Sequence, residues 1–477
     1  MKKLSLLSIL VLLVMGSCIN TSAQSDPFAP AFEGFGIVLV AALVGRFVAR
    51  KLNVSLVLGE VMMGILIGTI LSAMHRPGIV VIRNQNVIHE VFQKIDSNVP
   101  LDDAVTASVN ASSLSPDEKA SLQEVFREGN AENIVPMARI LLLFSSFGIA
   151  LLLFSVGLQS NILEIIRLGP QAVLVAALGI AGSGILGYFV TLLLFPGADP
   201  RLPLFIGGAL CSSSTGITAR VFKEMNSMEM PEAKMVMSAA VFDDILGLVL
   251  LAILSGVVSS GSLQFGPVLI LLLKAVAFLG AVVLTGLYIM PLIIKPIEKL
   301  DPQNIRLLFP IILLLLMCWL ADYIGLAMTI GAFAAGLMIT EKLFASTEDL
   351  HHTVEKLIAP IEGIFVPVFF VLMGAQVDIT LLADFKVIGI GLLITVVAIL
   401  GKLGAGIFLP KHLSRLVVGI ALIPRAEVAL IFMSIGKSVG VINAQFYAII
   451  VMVIMLTISF TPPALRWAFR RSRFSPS

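Results

Sequence analysis

Residues 235–251 read Met235-Val236-Met237-Ser238-Ala239-Ala240-Val241-Phe242-Asp243-Asp244-Ile245-Leu246-Gly247-Leu248-Val249-Leu250-Leu251. Two adjacent carboxylates interrupt an apolar run that extends from about 232 to 256. A run of that length matches the roughly 20 apolar residues a helix needs to cross a hydrocarbon core. Ionised side chains at the centre of such a helix cost about 2.5–3.5 kcal/mol each on insertion scales, so a functional role is the first reading for both aspartates. Neighbouring helical residues point about 100° apart, so Asp243 and Asp244 face different surroundings and are expected to do different work.

The rest of the chain agrees with a membrane reading. It has 477 residues, of which 58% are hydrophobic and 13% charged, with a mean hydropathy of +1.03. That balance excludes an ordinary soluble fold. Apolar runs recur near 33–49, 53–73, 138–158, 168–194, 202–220, 232–256, 266–292, 305–323, 326–343, 361–377, 384–409, 416–437 and 441–462. They predict an all-α polytopic membrane protein of about 13 transmembrane helices, because unpaired backbone groups are not tolerated in lipid and the runs are too continuous for barrel strands. Lys2 and Lys3, the apolar stretch from Leu4 to Met15 and the small residues around Ala23 predict a signal peptide over 1–23. With the mature N-terminus outside, Arg50 and Lys51, Arg220 and Lys223, Lys295, Lys299 and Arg306, Lys411 and Arg415, and the basic tail 465–477 all fall on the cytoplasmic side. The polar stretch 74–136 is then an extracytoplasmic insert, with helices expected near Val87–Ile95 and after a Ser115 cap. A location in a bacterial inner membrane follows.

Other intramembrane charges are few: Arg46, Glu60, Lys274, Asp322, Lys402, Arg425 and Glu427. Lys402, within Ile399-Leu400-Gly401-Lys402-Leu403-Gly404, is a candidate partner for one aspartate, a structural ion pair being the plainer alternative. Gly207-Gly208-Ala209-Leu210-Cys211-Ser212-Ser213-Ser214-Thr215-Gly216 is rich in glycine and hydroxyls. Such a stretch can unwind at mid-membrane and present carbonyls to a small cation, or simply pack closely against neighbours. Ile423-Pro424-Arg425-Ala426-Glu427-Val428 is its counterpart; Arg425 and Glu427 are not on one helical face and read as structural or gating residues, as does Glu60. Arg46 is expected to snorkel to its helix end. The basic residues are dispersed among loops, so nucleic acid is not an expected partner. The five histidines lie in loops and the chain has three cysteines in all, which predicts neither a transition-metal site nor a disulfide framework. No dinucleotide fingerprint is present in the polar regions, and no cofactor is expected.

Together these segments resemble the monovalent cation:proton antiporter superfamily, in particular its bacterial sodium/proton antiporters with an Asp-Asp pair. The resemblance rests on Phe242-Asp243-Asp244-Ile245-Leu246-Gly247, Gly59-Glu60 with Gly64 and Gly68, Phe154-Ser155-Val156-Gly157, Ser214-Thr215-Gly216-Ile217-Thr218, Phe369-Phe370-Val371-Leu372-Met373-Gly374 and Ile423-Pro424-Arg425-Ala426-Glu427-Val428. It implies inverted repeats with two crossing broken helices, and a transport core that moves against a scaffold forming a homodimer. The core halves would be 163–260 and 381–464; the scaffold 24–73, 137–162 and 301–380; and 261–300 a linker helix. It further implies that Asp244 binds Na⁺ or K⁺, that Thr215 and Ser214 lie at that site, and that Asp243 pairs with Lys402. The insert at 74–136 departs from the usual pattern.

The chemistry expected is competition: an ionised carboxylate in a low-dielectric surrounding is costly, so a proton and a cation alternate on Asp244. A second proton moving through Lys402 would make the exchange electrogenic. Three other readings share some features. A sodium-coupled symporter for an organic solute can use broken helices, an intramembrane aspartyl protease uses two aspartates, and a passive channel conducts cations. The protease needs its aspartates on different helices, which Asp243-Asp244 does not supply. No hydrolytic or other enzymatic activity is expected.

Overall fold

The computed structural model describes residues 29–52, 56–74, 77–111, 116–127, 131–158, 162–260, 265–298, 305–339, 353–376, 385–407, 409–410, 413–438 and 440–473. The signal peptide predicted over 1–23 and the Ser115 cap lie outside them. Among the described residues all regular structure is helical. Ten helices among the described residues are long and apolar enough to cross a membrane, and the chain is a multi-pass membrane protein.

Two compact units divide the molecule. The first takes the described residues of Met1–Gly148 together with Ile364–Gly389 and Ser434–Met452. It opens with α1 (Ala29–Leu52) and α2 (Leu56–Ala73), an antiparallel pair. Their approach is set by glycine: a Cβ on Gly45 would fall 2.5 Å from the carbonyl oxygen of Gly59. Beside that contact Arg46, expected from its place near the helix end to snorkel, is paired with a carboxylate. Its Nε donates to Glu60 Oε1 at 2.5 Å, and Glu60 is fully buried.

The insert is more ordered than the sequence suggests. It folds into four helices, α3 (Pro77–Arg83), α4 (Gln85–Asp96), α5 (Leu101–Ala111) and α6 (Pro116–Arg127). Val81, Ile88, Val91, Phe92, Val105, Val109, Leu122 and Phe126 form an apolar cluster together with Ala138 of the helix that follows. The next helix, α7 (Ala131–Leu158), is tied to it through Arg139, whose guanidinium stacks 4.6 Å above the Phe92 ring.

The second unit holds Ile149–Gly363, Ile390–Met433 and Val453–Ser477. It contains α8 (Ile162–Leu194), the half-helices α9 (Leu202–Cys211) and α10 (Thr215–Glu224), and α11 (Pro231–Ser260). Asp199, in the turn before α9, is held below the usual carboxylate range by the Arg201 side chain, which donates to it at 2.7 Å. There follow α12 (Phe265–Leu284), a π-helical turn at Thr285–Ile289, α13 (Met290–Glu298), α14 (Ile305–Tyr323) and the short α15 (Met328–Met338). Then come α16 (Val354–Ala375), α17 (Phe385–Leu403), the half-helices α18 (Arg415–Ala421) and α19 (Glu427–Ser438), and α20 (Ala444–Arg473). Helix α20 runs through Pro462 and Pro463 to Arg473, so the tail expected from 465 onward is a continuation of the last apolar helix.

Candidate functional site: the crossing of two interrupted helices

Both stretches singled out for unwinding are interrupted. After α9 ends at Cys211 the backbone is extended, with Ser212 at φ −77°, ψ 140° and Ser214 at φ −88°, ψ 105°, before α10 begins at Thr215. After α18 ends at Ala421, residues 423–426 are non-helical before α19 begins at Glu427. Pro424 lacks the N–H a continuing helix would need. The two interruptions meet. The Ser214 N–H donates to the Pro424 carbonyl at 2.7 Å, and Thr218 Oγ1 donates to the Ala421 carbonyl at 2.6 Å.

Every half-helix end leaves orphan backbone groups and half a unit of charge, and here charged side chains answer both. Asp243 Oδ2 accepts the Ser213 N–H at 2.6 Å, at the positive end of α10. Arg425 Nη1 donates to the carbonyls of Leu422 at 3.0 Å and Ile423 at 2.9 Å, at the negative end of α18. Asp243 is also in contact with Lys402, whose Nζ donates to Oδ1 at 2.9 Å, with side chains 1% and 0% exposed. Lys402 reaches that position because α8 and α17 are in backbone contact: a Cβ on Gly401 would fall 2.4 Å from the Ser183 Cα. A Cβ on Gly179 would fall 3.2 Å from the Lys402 Cδ, so glycine also makes room for the lysine stem.

Asp244 is half-buried, in contrast to Asp243 beside it. Two adjacent carboxylates thus occupy different environments, one locked in a buried network and the other partly open. Ser212, Ser213 and Ser214 are buried, and so is Arg425, the largest of the fully buried side chains. The side chains of Thr215 and Glu427 are outside the described set. Glu60 belongs to the other unit and its partner Arg46, not to this crossing. Lys274 and Asp322 are exposed on the outside of the helical bundle.

Among the described residues two buried carboxylates escaped the sequence reading: Glu232, which accepts the Ser414 N–H at 3.1 Å, and Glu362. Glu362, on α16, is 4% exposed; its Oε2 accepts from Lys223 Nζ at 2.6 Å and its Oε1 lies 3.8 Å from Arg220. Lys223 also donates to Ser155 Oγ at 2.7 Å, and Glu224 lies 3.4 Å from Arg220 and 3.6 Å from Arg466. Arg220 and Lys223, read from sequence only as loop charges, are members of this cluster. The position of Glu362 at the very start of an apolar run made it look like part of a polar connection.

Residues 38–471 match the model of the sodium/hydrogen exchanger transmembrane family. The chain belongs to that family. Within it, the chain is 30% identical over 470 residues to the high-affinity Na⁺/H⁺ antiporter NhaS3 of Synechocystis sp., covering 96% of this chain and 95% of the relative. It is also 30% identical over 344 residues to the Na⁺/H⁺-K⁺ antiporter GerN of Bacillus cereus, covering 70% and 84%. The sodium proton antiporter MjNhaP1 of Methanocaldococcus jannaschii has the same fold: its electron-microscopy structure superposes with a TM-score of 0.57 at 14% identity, over 94% of this chain and 99% of that one.

Proposed function

We propose that this chain exchanges a monovalent cation, sodium in preference to potassium, for protons across the inner membrane, with Asp244 as the alternating carrier. The observation that carries the reading is the asymmetry of the aspartate pair. Asp243 is buried and bonded to Lys402 and Ser213, whereas Asp244 is half-buried, so of the two carboxylates it is the one open to exchange of a proton for a cation beside the ends of two half-helices. Ser214 and Thr215 are proposed as further oxygen ligands. The names of the relatives support the same exchange, and GerN's supports potassium as the competing ion.

The rest of the reading follows from that centre. The segments 163–260 and 381–464 form the moving core; 24–73, 137–162 and 301–380 form a scaffold that pairs two copies of the chain. Lys402 releases a proton when its contact with Asp243 changes, so each cycle moves net charge, which a membrane potential biases by about 2.3 kcal/mol per 100 mV. Arg425, Glu427 and Glu60 have structural or gating parts. The N-terminus is outside and the C-terminal helix end is cytoplasmic. No cofactor takes part.

The test is reconstitution in liposomes with a pH-sensitive dye, an imposed proton gradient, and sodium, potassium or lithium added in turn. Cation-specific dissipation is expected, and Asp244→Asn abolishes it. Retained cation-coupled proton flux in that variant overturns the assignment of Asp244; a wild-type protein that ignores all three cations overturns antiport.

A further inference from the structure

The crossing contains more hydrogen-bonding capacity than the protein itself uses. Nε and Nη2 of Arg425 and the hydroxyls of Ser212, Ser213 and Ser214 are buried and have no hydrogen-bond partner among the described residues. Leaving such a group unmet is costly, and buried polar atoms elsewhere in proteins are almost always paired. The four residues that carry these atoms lie at the same crossing. Ser213 is bonded through its N–H to Asp243, and Ser214 through its N–H to the Pro424 carbonyl, one residue before Arg425.

The chemistry of the five atoms restricts what can satisfy them. A guanidinium edge only donates, whereas a serine hydroxyl both donates and accepts. A metal cation satisfies none of the Arg425 donors. A small anion satisfies the Arg425 donors, but it would stand at the crossing that holds the buried Asp243 carboxylate, and two like charges there repel. Water accepts from the guanidinium, donates to or accepts from the hydroxyls, and changes no charge.

We propose that the crossing binds a small cluster of water molecules beside Asp243, with Arg425 as its fixed donor and Ser212, Ser213 and Ser214 as its hydroxyl wall. The cluster extends the Asp243–Lys402 pair toward Asp244, giving a proton a hydrogen-bonded route between them. That relay rests on the antiport reading; the water site itself does not. Arg425 is in this view a positioning residue that holds solvent, in addition to closing the end of α18.

Two measurements on the full-length protein in nanodiscs test it. In a cryo-electron-microscopy map that resolves ordered solvent, density is expected within about 3.2 Å of an open Arg425 nitrogen and of a serine Oγ. An Arg425 edge occupied by the Asp244 carboxylate, or packed against side chains with no density between, overturns the proposal. Radiolytic hydroxyl labelling gives a second readout, because radicals form on bound water. Cys211, which adjoins Ser212 and is 3% exposed, is expected to label about tenfold faster than Met373, which is 8% exposed in an apolar setting, after normalisation to the unfolded protein. R425M should bring Cys211 down to the Met373 rate, and R425K should keep most of the difference. Equal wild-type rates overturn the site, as does an R425M protein that labels as fast as wild type. If R425M does not accumulate, the wild-type ratio and the map decide. Fast labelling in a protein that fails the liposome assay keeps the water site and removes the relay.

Discussion

Deleting the Lys402 ammonium would leave the Asp243 carboxylate buried with, among the described residues, the Ser213 N–H as its remaining hydrogen-bond donor. Breaking one side of a buried ion pair costs about 3–5 kcal/mol, whereas replacing both sides with neutral groups of similar shape is often close to neutral. Lys402→Met is therefore expected to lower the thermal unfolding midpoint in detergent strongly, and Asp243→Asn in the same chain to restore most of it. A double variant that is less stable than either single one would show that the pair does not act as a unit. Glu362→Gln follows the same logic. It keeps the shape but weakens the hold on Lys223 and Arg220, and a smaller fall in the midpoint is expected, reduced further at high salt. Legibility in sequence differed between these carboxylates for a physical reason. Asp243 and Asp244 interrupt an unbroken apolar run, so their cost announces them. Glu362 stands at the edge of one, where a carboxylate facing water looks the same as one facing Lys223.

At the scale of elements, glycine decides which helices touch. The Gly401 contact is backbone against backbone, and a methyl group there has nowhere to go without moving α17 away from α8. Gly401→Ala is expected to reduce cation–proton exchange at least as much as it reduces accumulation in the membrane, because Lys402 moves with the helix. Gly389, on the same helix, has open space where its Cβ would be. Gly389→Ala should be silent in both assays, and a loss equal to that of Gly401→Ala would sink the argument from packing. The interruptions at 212–214 and 423–426 could be anticipated from glycine, hydroxyls and proline, since these are residues that weaken a helix or satisfy its ends locally. Two features could not. Helix α20 continues past Pro462-Pro463, and proline usually ends such a run. The insert contains four helices where two were expected, because α3 and α5 are too short for periodicity to stand out from the surrounding polar sequence.

For the whole molecule, the orientation proposed above is open to direct test. In a chain whose own cysteines have been replaced, a cysteine introduced at Glu118 is expected to react with an impermeant maleimide from outside intact cells, and one at Arg471 only after permeabilisation. Reaction of both from the same side would reverse or break the assigned topology. The insert between α2 and α7 has a further consequence, for how such a chain is made. Its four described helices enclose an apolar cluster that they share with Ala138 of α7, and Arg139 of α7 stacks over Phe92. In the proposed orientation this segment must be threaded through the membrane unfolded and then close up on the far side. Once closed, its buried apolar cluster would have to open again before the segment could return, so in that orientation the insert works as an anchor that holds the first two spans in their direction.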